Sequence, residues 1–172
     1  LALLVEGPTS AEPSPRLDDP DLAALAATLD GAARKRLGRS LSIRAVDAGS
    51  CNGCDIETLA CLTPVYDIER FGIINVGNPM HADMLLVTGT VNHRNKKVLV
   101  NLYDQMPYPK IVIAIGSCAL SGGIFREAYN VVGGIDKVIA VDVYVPGCPP
   151  KPEAIIDSVV LGLQKINQWH KE

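Results

Sequence analysis

The residues of this 172-residue chain whose type and spacing most directly suggest chemistry are its five cysteines. Cys51 and Cys54 form a C-x-x-C pair around Asn52 and Gly53. Cys118 follows Gly116 and Ser117, Cys148 follows Pro146 and Gly147, and Cys61 comes seven positions after Cys54. Thiolates are soft metal ligands and good nucleophiles, so the first question is whether the fold brings several of them together.

The elements that must position them can be read from the apolar pattern. Leu41–Val46, Asp83–Thr88, Lys110–Ile115 and Val138–Val145 read as strands. A helix starts at about Asp55, and another spans Pro152–Ile166 with Ile155, Ile156, Val159, Val160 and Leu163 as its apolar face. Continuous apolar runs, as opposed to alternation, mark strands buried on both faces, which predicts an α/β fold with a parallel sheet covered by helices on both sides. Three of these strands lead directly into cysteines: the first into Cys51 and Cys54, the third into Cys118, the fourth into Cys148. Open parallel sheets bind ligands outside the carboxyl ends of their strands, so four thiols should meet at one edge. Gly53, Gly116 and Gly147 stand beside them, where glycine lets backbone approach closely and turn its N–H groups towards an anion.

Disulfides are not expected in a reducing compartment. A thioredoxin-like redox pair would use Cys51 and Cys54 but leave Cys118 and Cys148 without a purpose. Structural zinc favours two short knuckles, whereas Cys118 and Cys148 are isolated behind strands. A [4Fe–4S] cluster, held by four thiolates and hydrogen-bonded by amides, suits this dispersed nest better. Zinc and unconnected core cysteines stay open on spacing alone.

Hydrophobic residues make up 48% and charged residues 20%, the balance of a globular protein. A net charge of −3 argues against a phosphate-neutralising nucleic-acid binder. No apolar run reaches the roughly 18 residues that a membrane span needs. Leu1–Val5 has no basic residue before it and no twin-Arg pair follows, so a secretory signal is not expected and the default location is cytoplasmic. Pro8, Pro13, Pro15 and Pro20 make the start an extended arm. Leu22, Leu25 and Leu29 then predict a helix that ends in Arg34, Lys35 and Arg36 before Gly38. The expected organisation is an arm and docking helix over 1–40 and a single domain over 41–172.

The stretches Gly116–Gly123 and Val141–Pro150, with Arg70–Gly72, His81–Asp83 and Val87–Gly89, carry a resemblance. They are similar to the cluster-bearing subunit shared by respiratory complex I and membrane-bound [NiFe] hydrogenases, over about Leu41 to Leu163. The resemblance implies a flavodoxin-like fold and one [4Fe–4S] cluster on Cys51, Cys54, Cys118 and Cys148. Complex I and related quinone reductases have two adjacent cysteines at the first ligand site. Here Gly49-Ser-Cys-Asn-Gly-Cys-Asp-Ile-Glu57 resembles instead the small subunit of energy-converting hydrogenases such as formate hydrogenlyase and ferredoxin-linked enzymes. At Met80 the chain departs from the pattern, which usually has a basic residue there.

The resemblance further implies an electron-transfer subunit of an oxidoreductase, peripheral on the inner face of the cell membrane. Its expected partners are a [NiFe] large subunit, which holds the [NiFe] centre, a ferredoxin-like two-cluster subunit and membrane-arm subunits, without nucleic acid. The alternative is a complex I-like quinone- or sulfur-reducing relay. Glu57 is either a first-turn acid favoured by the helix dipole or a carboxylate for proton transfer or subunit contact. Cys61 and His81 read as structural residues, and His93, Arg94, Lys96 and Lys97 as a solvated basic run on a helix. With no Walker or Gly-x-Gly-x-x-Gly motif, flavin or nicotinamide chemistry is not expected.

Overall fold

The computed structural model describes residues 39–169 together with Ala24. The predicted arm and the helix after Asp21 therefore fall almost wholly outside the described residues. Five parallel strands form the main sheet: β1 (Leu41–Asp47), β2 (Ile73–Asn75), β3 (Met84–Thr88), β5 (Ile111–Ile115) and β7 (Val143–Val145). Their spatial order is β2-β1-β3-β5-β7. Counting only these strands, that is the flavodoxin-like order 2-1-3-4-5. A small antiparallel ladder of β4 (Val91–Asn92) and β6 (Val131–Gly133) sits apart from it. The helices are α1 (Gly53–Leu62), α2 (Lys96–Gln105), α3 (Gly116–Ser121) and α4 (Pro152–Trp169).

Both faces of the sheet are covered, which is why β3 and β5 are buried at every position. On one face Met84, Leu86, Ile111 and Ile113 pack with Cys61 of α1 and with Ile155, Ile156 and Val159 of α4. On the other, Leu85, Val87, Val112 and Ala114 pack with Leu99 of α2 and Ala119 of α3. Alternate residues of one apolar run thus serve two separate cores.

Polar side chains fix where strands begin. The Asp83 carboxylate accepts two hydrogen bonds from the Arg39 guanidinium, at 3.0 and 2.7 Å, and a third from the Ser42 N–H at 2.9 Å. This ties the entries of β1 and β3 together. Near β7 the structure differs from the sequence expectation. The run from Val138 is not strand until Val143, because Val138 and Ile139 close a turn onto the Ile135 carbonyl. The Asp142 carboxylate then accepts the Val112 N–H at 2.8 Å, which a strand carbonyl would otherwise take. The basic run also differs, since α2 starts at Lys96 and leaves His93 and Arg94 before it. All four side chains are exposed, as a solvated face requires.

Candidate metal centre

The carboxyl ends of β1, β5 and β7 each feed a loop that carries cysteine. After β1 the chain turns on Asp47, whose carboxylate accepts the N–H groups of Gly49 at 2.7 Å and Ser50 at 2.6 Å. Asn52 adopts the left-handed conformation at the start of α1, with φ 68°, a conformation that Asn tolerates better than most residues. This places Cys51 just before α1 and Cys54 in its first turn. After β5, Gly116 and Ser117 open α3 and deliver Cys118. After β7 comes Pro146-Gly147-Cys148, followed by a cis peptide bond to Pro149.

These loops are bound to one another. Ser117 donates to the Gly147 carbonyl through its backbone N–H at 2.8 Å and its hydroxyl at 3.1 Å, joining the Cys118 loop to the Cys148 loop. Asp55 joins the Cys51–Cys54 loop to β3: its carboxylate accepts the Thr88 hydroxyl at 2.6 Å and also the Ser50 hydroxyl.

Together the loops form one pocket of about 70 Å³ lined by Cys51, Cys54, Cys118 and Cys148, with Gly53, Gly89, Gly147 and Pro149. Gly116 supports it from beneath. Its φ is +86°, and a Cβ built there would stand 2.4 Å from Cys54 Sγ. Gly89 is under the same constraint, since its Cβ would stand 2.4 Å from the Ser50 nitrogen. Among the described residues, no group of three or more His, Cys, Asp or Glu side chains is arranged to hold a single metal ion. The four thiols border a pocket, the disposition that a polynuclear cluster with one thiolate per corner requires.

Burial pushes the Cys54 thiol up to about 11, with further increments from Cys118, Asp55, Cys51 and Cys148. Cys118 is raised as well, by burial first and then by Cys148 and Cys51. Bound metal would favour the thiolate forms of Cys54 and Cys118 against this burial. The donor set and the glycines around it fit an iron–sulfur cluster.

Cys61 is elsewhere. It is buried in the core between α1 and α4, and its thiol faces the carbonyls of Glu57 at 3.4 Å and Pro152 at 3.7 Å. Burial lifts it to about 12, an inert structural thiol. Glu57 is half-buried on α1, three residues beyond Cys54 and outside the pocket lining. His81 is exposed at the end of a short turn, and Met80 before it is 63% exposed. Sequence reasoning missed Asp55, Thr88 and Gly89 as parts of the site. Asp55 had one visible signal, a carboxylate directly after a thiol in C-x-x-C-D, whereas Thr88 and Gly89 meet the site only through the β1–β3 pairing.

The family described as NADH ubiquinone oxidoreductase, 20 kDa subunit, matches residues 51–161. A probable membrane-bound hydrogenase subunit, mbhJ, of Pyrococcus furiosus is 54% identical over 137 residues, 80% of this chain and 82% of that one. Formate hydrogenlyase subunit 7 of Escherichia coli is 43% identical over 164 residues, which covers 94% of this chain and 63% of the relative. A solved structure of a membrane-bound sulfane sulfur reductase, an archaeal respiratory membrane complex, contains a chain 40% identical, with TM-score 0.67 over 82% of this chain and 76% of the other. The chain therefore belongs to the 20 kDa subunit family of NADH ubiquinone oxidoreductase, and these relatives are subunits of oxidoreductases, a membrane-bound hydrogenase among them.

Proposed function

We propose that Cys51, Cys54, Cys118 and Cys148 hold one [4Fe–4S] cluster and that the chain is the electron-relay subunit of a membrane-bound hydrogenase. The observation that carries this reading is the meeting of four thiols from three strand ends in one pocket. Bound there, the cluster supplies a one-electron relay between a ferredoxin-like subunit and the [NiFe] centre of a large subunit. The chain's own residues do the rest. The cysteines anchor, the Ser117–Gly147 and Asp55–Thr88 bonds hold their loops in register, and the apolar sheet beneath keeps water from one side.

The other side of the pocket needs a partner. Cys51 and Cys148 are exposed, and α1 and the segment after α3 carry exposed apolar side chains. Ile56 and Leu59 on α1 are 63% and 57% exposed, and Ile124 and Tyr129 after α3 are 90% and 98% exposed. A large subunit covering the pocket mouth would exclude water from it, and such exposed apolar side chains offer it contact surface. Among the described residues no helix is long and apolar enough to cross a membrane. The reading places the chain on the cytoplasmic face, attached through membrane-arm subunits. Glu57, three residues beyond Cys54 on α1, serves as a subunit contact or a proton-transfer group.

A sulfur- or quinone-reducing complex is the second reading, favoured by the 40% identity to the sulfane sulfur reductase chain. The spaced pair Cys51-Asn-Gly-Cys54 favours the hydrogenase reading. The purified complex should evolve or take up hydrogen with a one-electron carrier. Sulfur or quinone reduction without any hydrogen activity would transfer the assignment to the second reading.

A further inference from the structure

We propose that the Asp55 carboxylate, clamped beside Cys54 by the hydroxyls of Ser50 and Thr88, sets the reduction potential of the cluster held on the four cysteines. The inference rests on the cluster reading above and names a role for a residue outside the ligand set. Asp55 follows Cys54 directly and shares the first turn of α1. One oxygen accepts the Thr88 hydroxyl at 2.6 Å, and the other accepts the Ser50 hydroxyl. Thr88 is 1% exposed, and its own backbone is paired within the sheet, so it cannot follow a moving carboxylate. Ser50 is fixed in turn, because its N–H is bound by Asp47 and its hydroxyl accepts the Asn52 N–H at 3.0 Å. The negative charge is therefore locked at a constant place directly after Cys54 in the first turn of α1, behind the residues that line the pocket.

A fixed negative charge disfavours addition of an electron to the neighbouring group, so Asp55 lowers the potential. The two hydroxyl dipoles partly neutralise it, so removal of either should deepen the effect. The carboxylate is thus a positioning and electrostatic residue. Its signature is a change of potential that a mere loop-holding role would leave unmoved.

The test uses the intact complex, with iron and acid-labile sulfide counted for each variant and potential read by EPR-monitored redox titration. Asp55→Asn should keep the cluster and raise its potential, changing the oxidised-to-reduced ratio at fixed poise by about tenfold, which is about 59 mV for one electron. Thr88→Val keeps the charge and removes one neutralising dipole, so its potential should fall. A loaded Asp55→Asn complex whose ratio stays within about twofold of the parent overturns the inference. If Asp55→Asn does not load, Thr88→Val decides: an unchanged or raised potential overturns the inference, and a lowered one supports it. A complex whose iron and sulfide total is unchanged by Cys118→Ser overturns the functional reading and this inference with it. A loaded but unshifted variant overturns this inference alone.

Discussion

Gly116 and Gly53 both stand beside the cysteines, yet the geometry assigns them opposite responses to one added methyl group. At Gly116 an alanine meets two obstacles. Its φ of +86° lies in the left-handed region, which costs an L-residue about 1–2 kcal/mol. Its Cβ would also lie 2.4 Å from Cys54 Sγ, whereas nonbonded heavy atoms settle near roughly 3.5 Å, so the sulfur must move by about 1 Å. Metal–ligand distances tolerate only about 0.2 Å, so loss of ligation should outweigh the modest loss of stability. At Gly53 no positive φ applies, and the nearest atoms to an added Cβ are Cys51 Sγ at 3.6 Å and Pro149 Cδ at 3.9 Å. These are ordinary contacts, and a helical glycine replaced by alanine gains about 0.5–1 kcal/mol. The assay is iron and sulfide content together with thermal unfolding of both variants. Gly116→Ala should lose most of the cluster, while Gly53→Ala should load fully and melt no lower than the parent. A fully loaded Gly116→Ala protein, or equal losses in both, would refute the reasoning.

Cys61 makes alkaline stability informative. Its folded pKa of about 12 exceeds the ordinary value of 9.0, so the folded chain keeps a proton that the unfolded chain releases. The resulting stabilisation is complete below about pH 9 and falls by about 1.4 kcal/mol per pH unit above it. Denaturant unfolding of the metal-free chain should therefore show a shallower alkaline decline in Cys61→Ala, and parallel declines would contradict the burial argument. Lys110 is a second buried group: only 4% exposed, its ammonium donates to the carbonyls of Tyr103 and Met106 at the end of α2 and lies 3.7 Å from the Tyr103 ring centre. Lys110→Met should cost about 1–3 kcal/mol in thermal or denaturant unfolding without changing cluster content, and an unchanged melting curve would show that the carbonyls find other donors.

The parts of the fold that were legible in the sequence are those whose pattern is local. β3 and β5 are unbroken apolar runs because both faces are packed, and that alone announces a parallel sheet. The thiols were legible for the same reason, since each follows a strand end directly. Other features depend on partners distant in sequence. β2 has only three residues, two of them exposed, and exists because it pairs with Leu41–Ile43. β7 is short because the Asp142 side chain does part of a strand's hydrogen bonding, which no propensity reveals. The bond between Asp55 and Thr88 spans 33 residues and becomes visible only when β1 and β3 are aligned. The difference between Gly53 and Gly116 is likewise one of φ and of neighbours, and in sequence both are simply glycine beside cysteine.

The most direct test of the account compares the iron and acid-labile sulfide totals of the purified complex between the parent and the five single Cys→Ser variants. A serine hydroxyl is a harder, poorer ligand than a thiolate, so each replacement at the pocket should be felt by the bound iron. The parent complex should hold about four irons and four sulfides more than a variant that has lost this cluster. Cys51→Ser, Cys54→Ser, Cys118→Ser and Cys148→Ser should lose or distort that cluster, and Cys61→Ser should retain it. An iron and sulfide total in Cys118→Ser equal to the parent's would contradict the central claim.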